Sequence, residues 1–260
     1  MNTSDLTVLI LTFNEAPNLR RTLARLAWAK EIVIVDSFST DETLAIAREF
    51  PQVRVVQRSF DTHAQQWNFG LDHIHTPWAL ALDADYLLPA NFATELTGLS
   101  QADEVSAYFA SFRYCIFGRP LRGTLYPPRA VLFHRDRCRF VQDGHTQQLE
   151  VTGTTALLHS RIDHDDCKPL ARWIWAQDRY SALEAVKLLK TPVAELSFQD
   201  RLRRKIILAP GLVFIYTLLG KGLIFDGWPG WFYVWQRTLA EIMLSLRLLE
   251  QKMTKKNAER

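Results

Sequence analysis

Two aspartates flank one small residue at Asp83-Ala84-Asp85, where they close the apolar run WALAL. Two oxygen donors at a strand end suit a hard divalent cation, Mg2+ or Mn2+, that keeps part of its water shell and bridges nucleotide phosphates; a solvated loop is the plainer reading. Asp36 closes a second run, EIVIVD, and an acceptor-only carboxylate in that place takes hydrogen bonds from a ribose hydroxyl or a base N–H. Thr12, Asn14 and Glu15 follow a first run, while Ser39, Asp41 and Glu42 read either as part of the same polar edge or as a capping box for the next helix. Residues 140–148, FVQDGHTQQ, form a dense polar stretch holding Asp143 and His145, which also reads as a turn at Asp143-Gly144. His159 and the run His164-Asp165-Asp166-Cys167-Lys168 add a second set of ligating side chains. Lys168 could neutralise phosphate charge, but a lone Lys before a proline reads more simply as solvated.

The segments that carry these residues alternate in period. Residues 6–11, 31–36, 53–57 and 78–82 are short and β-branched, whereas 41–50, 64–74 and the stretch through Leu19, Leu23 and Leu26 have helical spacing. Such alternation predicts an α/β fold whose parallel sheet is covered by helices on both faces. Ligands of such sheets bind beyond the carboxyl ends of the strands, where the strand order reverses, and the polar residues from Thr12 to Asp85 fall on that edge. Residues 104–141 turn aromatic and turn-rich, as antiparallel strands or a mixed sheet edge would be. Helical spacing returns from Pro169 through Leu189 and sets Trp173, Gln177, Tyr180 and Glu184 on one face.

Composition narrows the function classes. At 260 residues with 48% hydrophobic and 23% charged side chains, the chain is globular. Its net charge of +3 is too small to indicate a nucleic-acid partner, and no basic-aromatic groove is interleaved along the first half. Neither GxGxxG nor GxxxxGK[ST] follows the first strand, which argues against dinucleotide oxidoreductases and P-loop NTPases. The three cysteines form no CxxC pair, so buried thiols in a reducing compartment are expected. The polar N-terminal residues lack the pattern of a signal peptide, so a cytoplasmic location is expected.

The runs LILTFNEAPNLRRTL, IVIVDSFSTDET and HAQQWNFGLDHIHTPWALALDADYLLP resemble, in order and interval, the nucleotide-sugar half of inverting family 2 glycosyltransferases with the GT-A fold, a Rossmann-like mixed sheet flanked by helices. The chain further resembles the bacterial branch that includes lipopolysaccharide-core β-glucosyltransferases. The resemblance implies that Glu15 and Asp36 hold the nucleoside, with Thr12, Asn14 and Asp41 close by and Asn68 on the following helix, preceded here by Gln66 and Trp67. It makes Asp83 and Asp85 the metal and ribose contacts and His164 a third metal ligand. Asp143 lies where the family's base lies; relatives carry His-Glu where this chain has His145-Thr146, which leaves His145 as the alternative base. Gln177, Arg179 and Tyr180 resemble a shortened acceptor- and diphosphate-binding motif. Together these imply transfer of a hexose from a UDP-sugar, with a divalent cation, to a lipopolysaccharide-core or other lipid-linked acceptor. A polyprenyl-phosphate glycosyltransferase and a non-catalytic, membrane-recruited nucleotide-binding protein are the competing expectations.

Residues 1–100 are expected to form the nucleotide-sugar half, 101–195 the acceptor half, and 196–260 a helical, membrane-associating appendage. From Asp200 onward the chain holds eleven Lys and Arg against five Asp and Glu, so the basic excess is C-terminal. Arg201, Arg203, Arg204 and Lys205 lead into an apolar stretch too interrupted by Pro210, several glycines and Lys221 to span a bilayer. The expectation is a tail lying on an anionic membrane surface, with Trp228, Trp231, Tyr233 and Trp235 at headgroup level and the enzyme peripheral to the cytoplasmic face of the inner membrane. Packing on the catalytic domain, or on a second protomer in a homodimer, is the alternative.

Overall fold

The computed structural model describes residues 1–99, 105–144 and 146–258, with no account of the side chains of 255–258. The chain separates into two compact units, residues 1–120 with 126–168, and residues 121–125 with 169–260.

The first unit opens with β1 (Leu6–Thr12), α1 (Ala16–Ala24), β2 (Ile32–Asp36), α2 (Thr43–Arg48), β3 (Val53–Gln57), α3 (His63–Asp72) and β4 (Trp78–Asp83). It continues through β5 (Tyr86–Leu87), α4 (Phe92–Gly98), β6 (Val105–Ile116), β7 (Arg119–Pro120), β8 (Arg129–His134), β9 (Cys138–Asp143), β10 (Thr146–Val151) and β11 (Thr154–His164). The strand order is β3-β2-β1-β4-β8-β6-β11-β5, with β7 paired to β6 and β9-β10 forming a separate hairpin. β1, β2, β3 and β4 run parallel, as the alternation predicts. β8 then pairs antiparallel with both β4 and β6, so the sheet is mixed. This is a GT-A-type layout.

Side chains of β1 alternate between two cores, as the period of an extended strand requires. Val8 and Ile10 pack with Leu19, Leu23, Ile46 and Phe92 on one face, whereas Leu9 joins Val33, Trp67, Leu71 and Phe140 on the other. Each fully buried aliphatic side chain contributes about 1.5–3 kcal/mol. α3 approaches β1 so closely that a Cβ at Gly70 would stand 2.6 Å from Leu9 Cδ1; glycine there permits the contact. The switch in strand order falls between β1 and β4, flanked by β2. Register places Thr12 opposite Asp36 and Leu11 opposite Asp83, which aligns three strand ends along one edge.

The second unit contains α5 (Leu170–Lys190), α6 (Phe198–Arg203), α7 (Leu208–Ile215), a π-helical turn at Tyr216–Gly220 and α8 (Trp228–Ala258). α5 shares a core with α8 through Ala185, Leu188, Leu244 and Leu248. The segment at 121–125 is strapped onto this unit: the Arg122 N–H donates to Asp226 at 2.9 Å and the Leu125 N–H to the Tyr233 hydroxyl at 3.0 Å. Among the described residues no helix is long and apolar enough to cross a membrane.

Candidate functional site

The carboxyl ends of β1 and β2 are joined by a hydrogen-bonded lattice. Asp36 is fully buried. One of its oxygens accepts from the Thr12 and Ser39 hydroxyls, and the other accepts from the Ser39 N–H at 2.9 Å and the Gln57 amide at 3.1 Å. Four donors fill the acceptor capacity of a carboxylate, so Asp36 builds the β2–α2 loop where sequence suggests a direct ribose contact. The same loop is laced to the first. The Asn14 N–H donates to Ser39 Oγ at 2.8 Å, Asn14 Oδ1 accepts from the Thr40 N–H at 2.8 Å, and the Glu15 N–H donates to Thr43 Oγ1 at 2.8 Å. Asn14 sits at φ 57°, in the left-handed region that asparagine tolerates better than most residues. Asp41 accepts from the Ala16 N–H and from Thr43; burial works upward on its carboxyl, but these bonds hold it below the usual range.

A second network lies over the N-terminal turns of α1. The Lys168 ammonium donates to Glu15 Oε1 at 2.6 Å and lies 3.6 Å from Asp166 Oδ1, while the Asn18 amide donates to Glu15 at 3.0 Å and to Asp166 at 2.9 Å. Burial pushes the Glu15 carboxyl up to about 7 against the pull of Lys168. The ammonium, although burial opposes its charge, is held above its usual range by Glu15, Asp85 and Asp166. Lys168 is therefore a buried ion-pair partner, not the solvated lysine its sequence context suggests. Arg21 donates to Asp165 at 2.6 Å, which fixes the segment that follows β11.

His164 Nε2 sits 3.3 Å from Asp85 Oδ2, both largely buried. β11 pairs antiparallel with β5 so that His164 lies opposite Tyr86, and the imidazole is walled by Tyr86, Tyr114 and Tyr126 with ring centroids at 5.3, 4.7 and 4.7 Å. Burial opposes the charge on His164, but Asp85 and Asp83 raise it; burial and the neighbouring Asp85 raise Asp83, while Asp85 itself, opposed by burial, is held low by His164. Asp85 Oδ1 and His164 Nδ1 are buried without partners. Each residue thus keeps one buried, unpartnered atom, a carboxylate oxygen and an imidazole nitrogen, of the kinds that a divalent cation takes as ligands, so the residues fit such an ion. Among the described residues no three of His, Cys, Asp and Glu are gathered as a cation-binding group.

The remaining sequence-derived candidates sit on other elements or outside the described residues. Asn68 is spent on a backbone clamp: its amide donates to Phe140 O at 2.9 Å and accepts from the Phe140 N–H at 3.0 Å, tying α3 to β9. Asp143 ends β9, with Oδ2 accepting from the Gln148 amide at 2.7 Å. His145 lies outside the described residues. Gln177, Arg179 and Tyr180 lie on α5 of the second unit, where the Arg179 guanidinium stands 4.8 Å over the Trp175 ring. Sequence reasoning missed Tyr86, Tyr126 and Arg129. The Arg129 guanidinium stands 5.3 Å over Tyr126 and donates to Thr146 Oγ1 at 3.3 Å, with its Nε buried and unpartnered. No linear spacing announces these three, because Tyr86 and Arg129 come from separate strands and Tyr126 from the loop before β8.

A parallel sheet whose switch point carries a lattice of acidic and hydroxyl groups, continued by antiparallel strands that add a carboxylate–imidazole pair, has the layout of a GT-A-type transferase. A model of Glycosyl transferase family 2 matches residues 7–160, and the chain belongs to that family; it is a glycosyltransferase. It is 26% identical over 239 residues to the lipopolysaccharide core biosynthesis glycosyltransferase LpsC of Rhizobium meliloti (strain 1021), covering 84% of this chain and 82% of that one. Among solved structures it is similar to S. aureus TarS 1-349 in complex with UDP-GlcNAc, at 12% identity and TM-score 0.49 over 91% of this chain and 90% of that one. It is also similar to the Mycobacterium tuberculosis glucosyl-3-phosphoglycerate synthase in complex with Mn2+, UDP and glucosyl-3-phosphoglycerate, at 14% identity and TM-score 0.47 over 72% and 81% of the two chains.

Proposed function

We propose that this glycosyltransferase moves a hexose, with inversion at the anomeric carbon, from a UDP-sugar to a lipopolysaccharide-core or other lipid-linked acceptor at the cytoplasmic face of the inner membrane. The observation that carries the donor reading is the convergence of Thr12, Asn14, Glu15 and Asp36 with Asp83, Asp85 and His164 along one edge of the sheet. The likeness to LpsC supports the acceptor class.

In this reading the β1 and β2 loops seat the nucleoside, with Asp36 holding them in shape and Thr12, Asn14, Glu15 and Asp41 completing the seat. Asp83 and Asp85, with His164, would hold a divalent cation, which when bound supplies positive charge to the departing diphosphate. Lys168 and Arg129 are partly buried cationic groups of the same unit and add charge of the sign the leaving group needs. Asp143 takes the proton from the acceptor hydroxyl as that oxygen attacks; His145 remains the alternative. Gln177, Arg179 and Tyr180 are assigned to acceptor and diphosphate contacts.

The membrane assignment rests on the second unit. Trp228, Trp231, Trp235, Leu239, Ile242 and Leu246 follow one another on α8 at helical spacing and are each more than a third exposed, a stripe suited to the headgroup and upper acyl zone. Of the basic cluster before α7, Arg203 does not face lipid: it donates to Glu241 at 2.7 Å and sits beside Asp200, so the electrostatic pull falls to residues such as Arg201 and Lys205. Sedimentation with anionic vesicles, weakened by Trp231→Ser/Trp235→Ser, tests it; an unchanged bound fraction contradicts it.

Calorimetric titration of UDP with and without Mn2+ tests the donor site. Wild type is expected to bind more tightly with the ion, and Asp85→Asn to lose that difference with its fold intact. Equal affinities in all four titrations would contradict the reading.

A further inference from the structure

The β2–α2 loop carries a residue that its backbone does not favour. Phe38 has φ 60°, the left-handed conformation that a bulky L-residue avoids and glycine adopts freely. The residue is 52% exposed. Such strain persists only where the surroundings over-determine it, and here they do. On one side the Ser37 N–H donates to Thr12 O at 2.9 Å and the Gln66 amide to Ser37 Oγ at 3.0 Å. On the other, the Ser39 N–H and hydroxyl both donate to Asp36, and the Asn14 N–H donates to Ser39 Oγ. Both neighbours are pinned, so the lattice forces residue 38, two positions beyond the end of β2, into the left-handed region. Burial does not account for a phenylalanine here, because the residue is exposed.

In doubly wound sheets the ground beyond the second strand is where a nucleoside rests, and a flat aromatic face there offers a base the stacking that any nucleobase accepts. We propose that Phe38 is the stacking platform for the donor's nucleobase. The inference rests on the nucleoside-diphosphate reading of the site and adds to it a residue and a role. It explains why a strained phenylalanine stands where glycine would fit without cost, and gives the Asp36 lattice the purpose of presenting that ring.

The test is calorimetric titration of UDP into wild type, Phe38→Gly, Phe38→Asn and Phe38→Tyr, with melting temperatures beside it. Gly and Asn both tolerate the left-handed backbone and lack the ring, and Asn keeps the loop stiffer, so the pair separates loss of stacking from loosening of the loop. Both are expected to weaken UDP at least about fivefold, the low end of base–aromatic stacking, while Tyr stays within about twofold of wild type. Neither Gly nor Asn should melt below wild type. Wild-type affinity in Phe38→Asn would overturn the proposal and leave the nucleotide site standing, as would a change confined to the acceptor KM, which would assign the ring to an acceptor sugar. A clear fall in melting temperature would assign it to packing instead. Failure of wild type to bind UDP would remove the nucleotide reading and this inference together.

Discussion

Lys168→Met is the perturbation whose outcome follows most directly from the site's electrostatics. Glu15 is raised from 4.5 to about 7 by burial, with Lys168 pulling the other way, and that rise corresponds to about 3 kcal/mol against the folded state once the carboxylate is charged. The sign follows from the direction. A carboxyl raised on folding is protonated in both states below pH 4.5 and costs nothing there; the cost grows as pH climbs and is complete above pH 7. In wild type Lys168 offsets part of it as Glu15 ionises, because the attraction across the pair exists only once the carboxylate is charged. Removing the ammonium removes the offset and lets Glu15 rise further. The expected loss in Lys168→Met is about 3 kcal/mol at pH 8 and under about 1 kcal/mol at pH 5, since removing one partner of a buried pair strands the other. Urea unfolding of the two proteins at pH 5, 7 and 8 reads the difference. Glu15→Gln/Lys168→Met removes both charges and should recover more than half of the loss and flatten its pH dependence. A loss equal at pH 5 and pH 8, or a double variant as damaged as the single, would refute the reasoning.

Three further outcomes follow from individual contacts. Asp143→Asn should lower kcat by about 100-fold or more, the usual contribution of a positioned base, with the donor KM unchanged in steady-state assays; a kcat within a few-fold of wild type would move the base elsewhere. Asp36→Ala strands four donors, and bonds to a buried charge are worth about 1.5–3 kcal/mol each but not additively, so a loss of about 2–4 kcal/mol in urea unfolding, with weaker UDP binding, is expected. Gly70→Ala would set a methyl 2.6 Å from Leu9 Cδ1; overpacking of that kind costs about 1–3 kcal/mol, read as a lower unfolding midpoint with kcat near wild type.

What the sequence makes legible is the part governed by local period. The strands over 53–57 and 31–36 and the helix over 64–74 lie within a residue or two of β3, β2 and α3, because β-branched runs and helical spacing declare themselves without tertiary help. The edge on which Thr12, Asp36 and Asp83 meet was legible too, since a βαβ order fixes which strand ends share a side. Lys168 was misread because its surroundings in sequence are a proline and acids that could equally be solvated; only the return of β11 to the sheet buries it against Glu15. The clamp made by Asn68 was not legible for the opposite reason. Its amide matches a backbone donor and acceptor on a strand more than seventy residues away, and no local signal predicts that. Tyr86, Tyr126 and Arg129 escaped notice because their meeting depends on a loop and on strand pairing in the half of the chain with the weakest periodicity. Phe38 was visible as a residue, but its significance lies in a φ value, which spacing alone does not report.

The central claim is inverting transfer of a hexose from a UDP-sugar, and the anomeric configuration of the product tests it most directly. Incubating the protein with α-linked UDP-hexoses, Mn2+ and a truncated lipopolysaccharide core, then reading the anomeric proton coupling of the product by NMR, should give a β-linked hexose with one UDP released per linkage formed. An α-linked product would contradict inversion, and no UDP release with any UDP-hexose and core acceptor would contradict the assigned reaction.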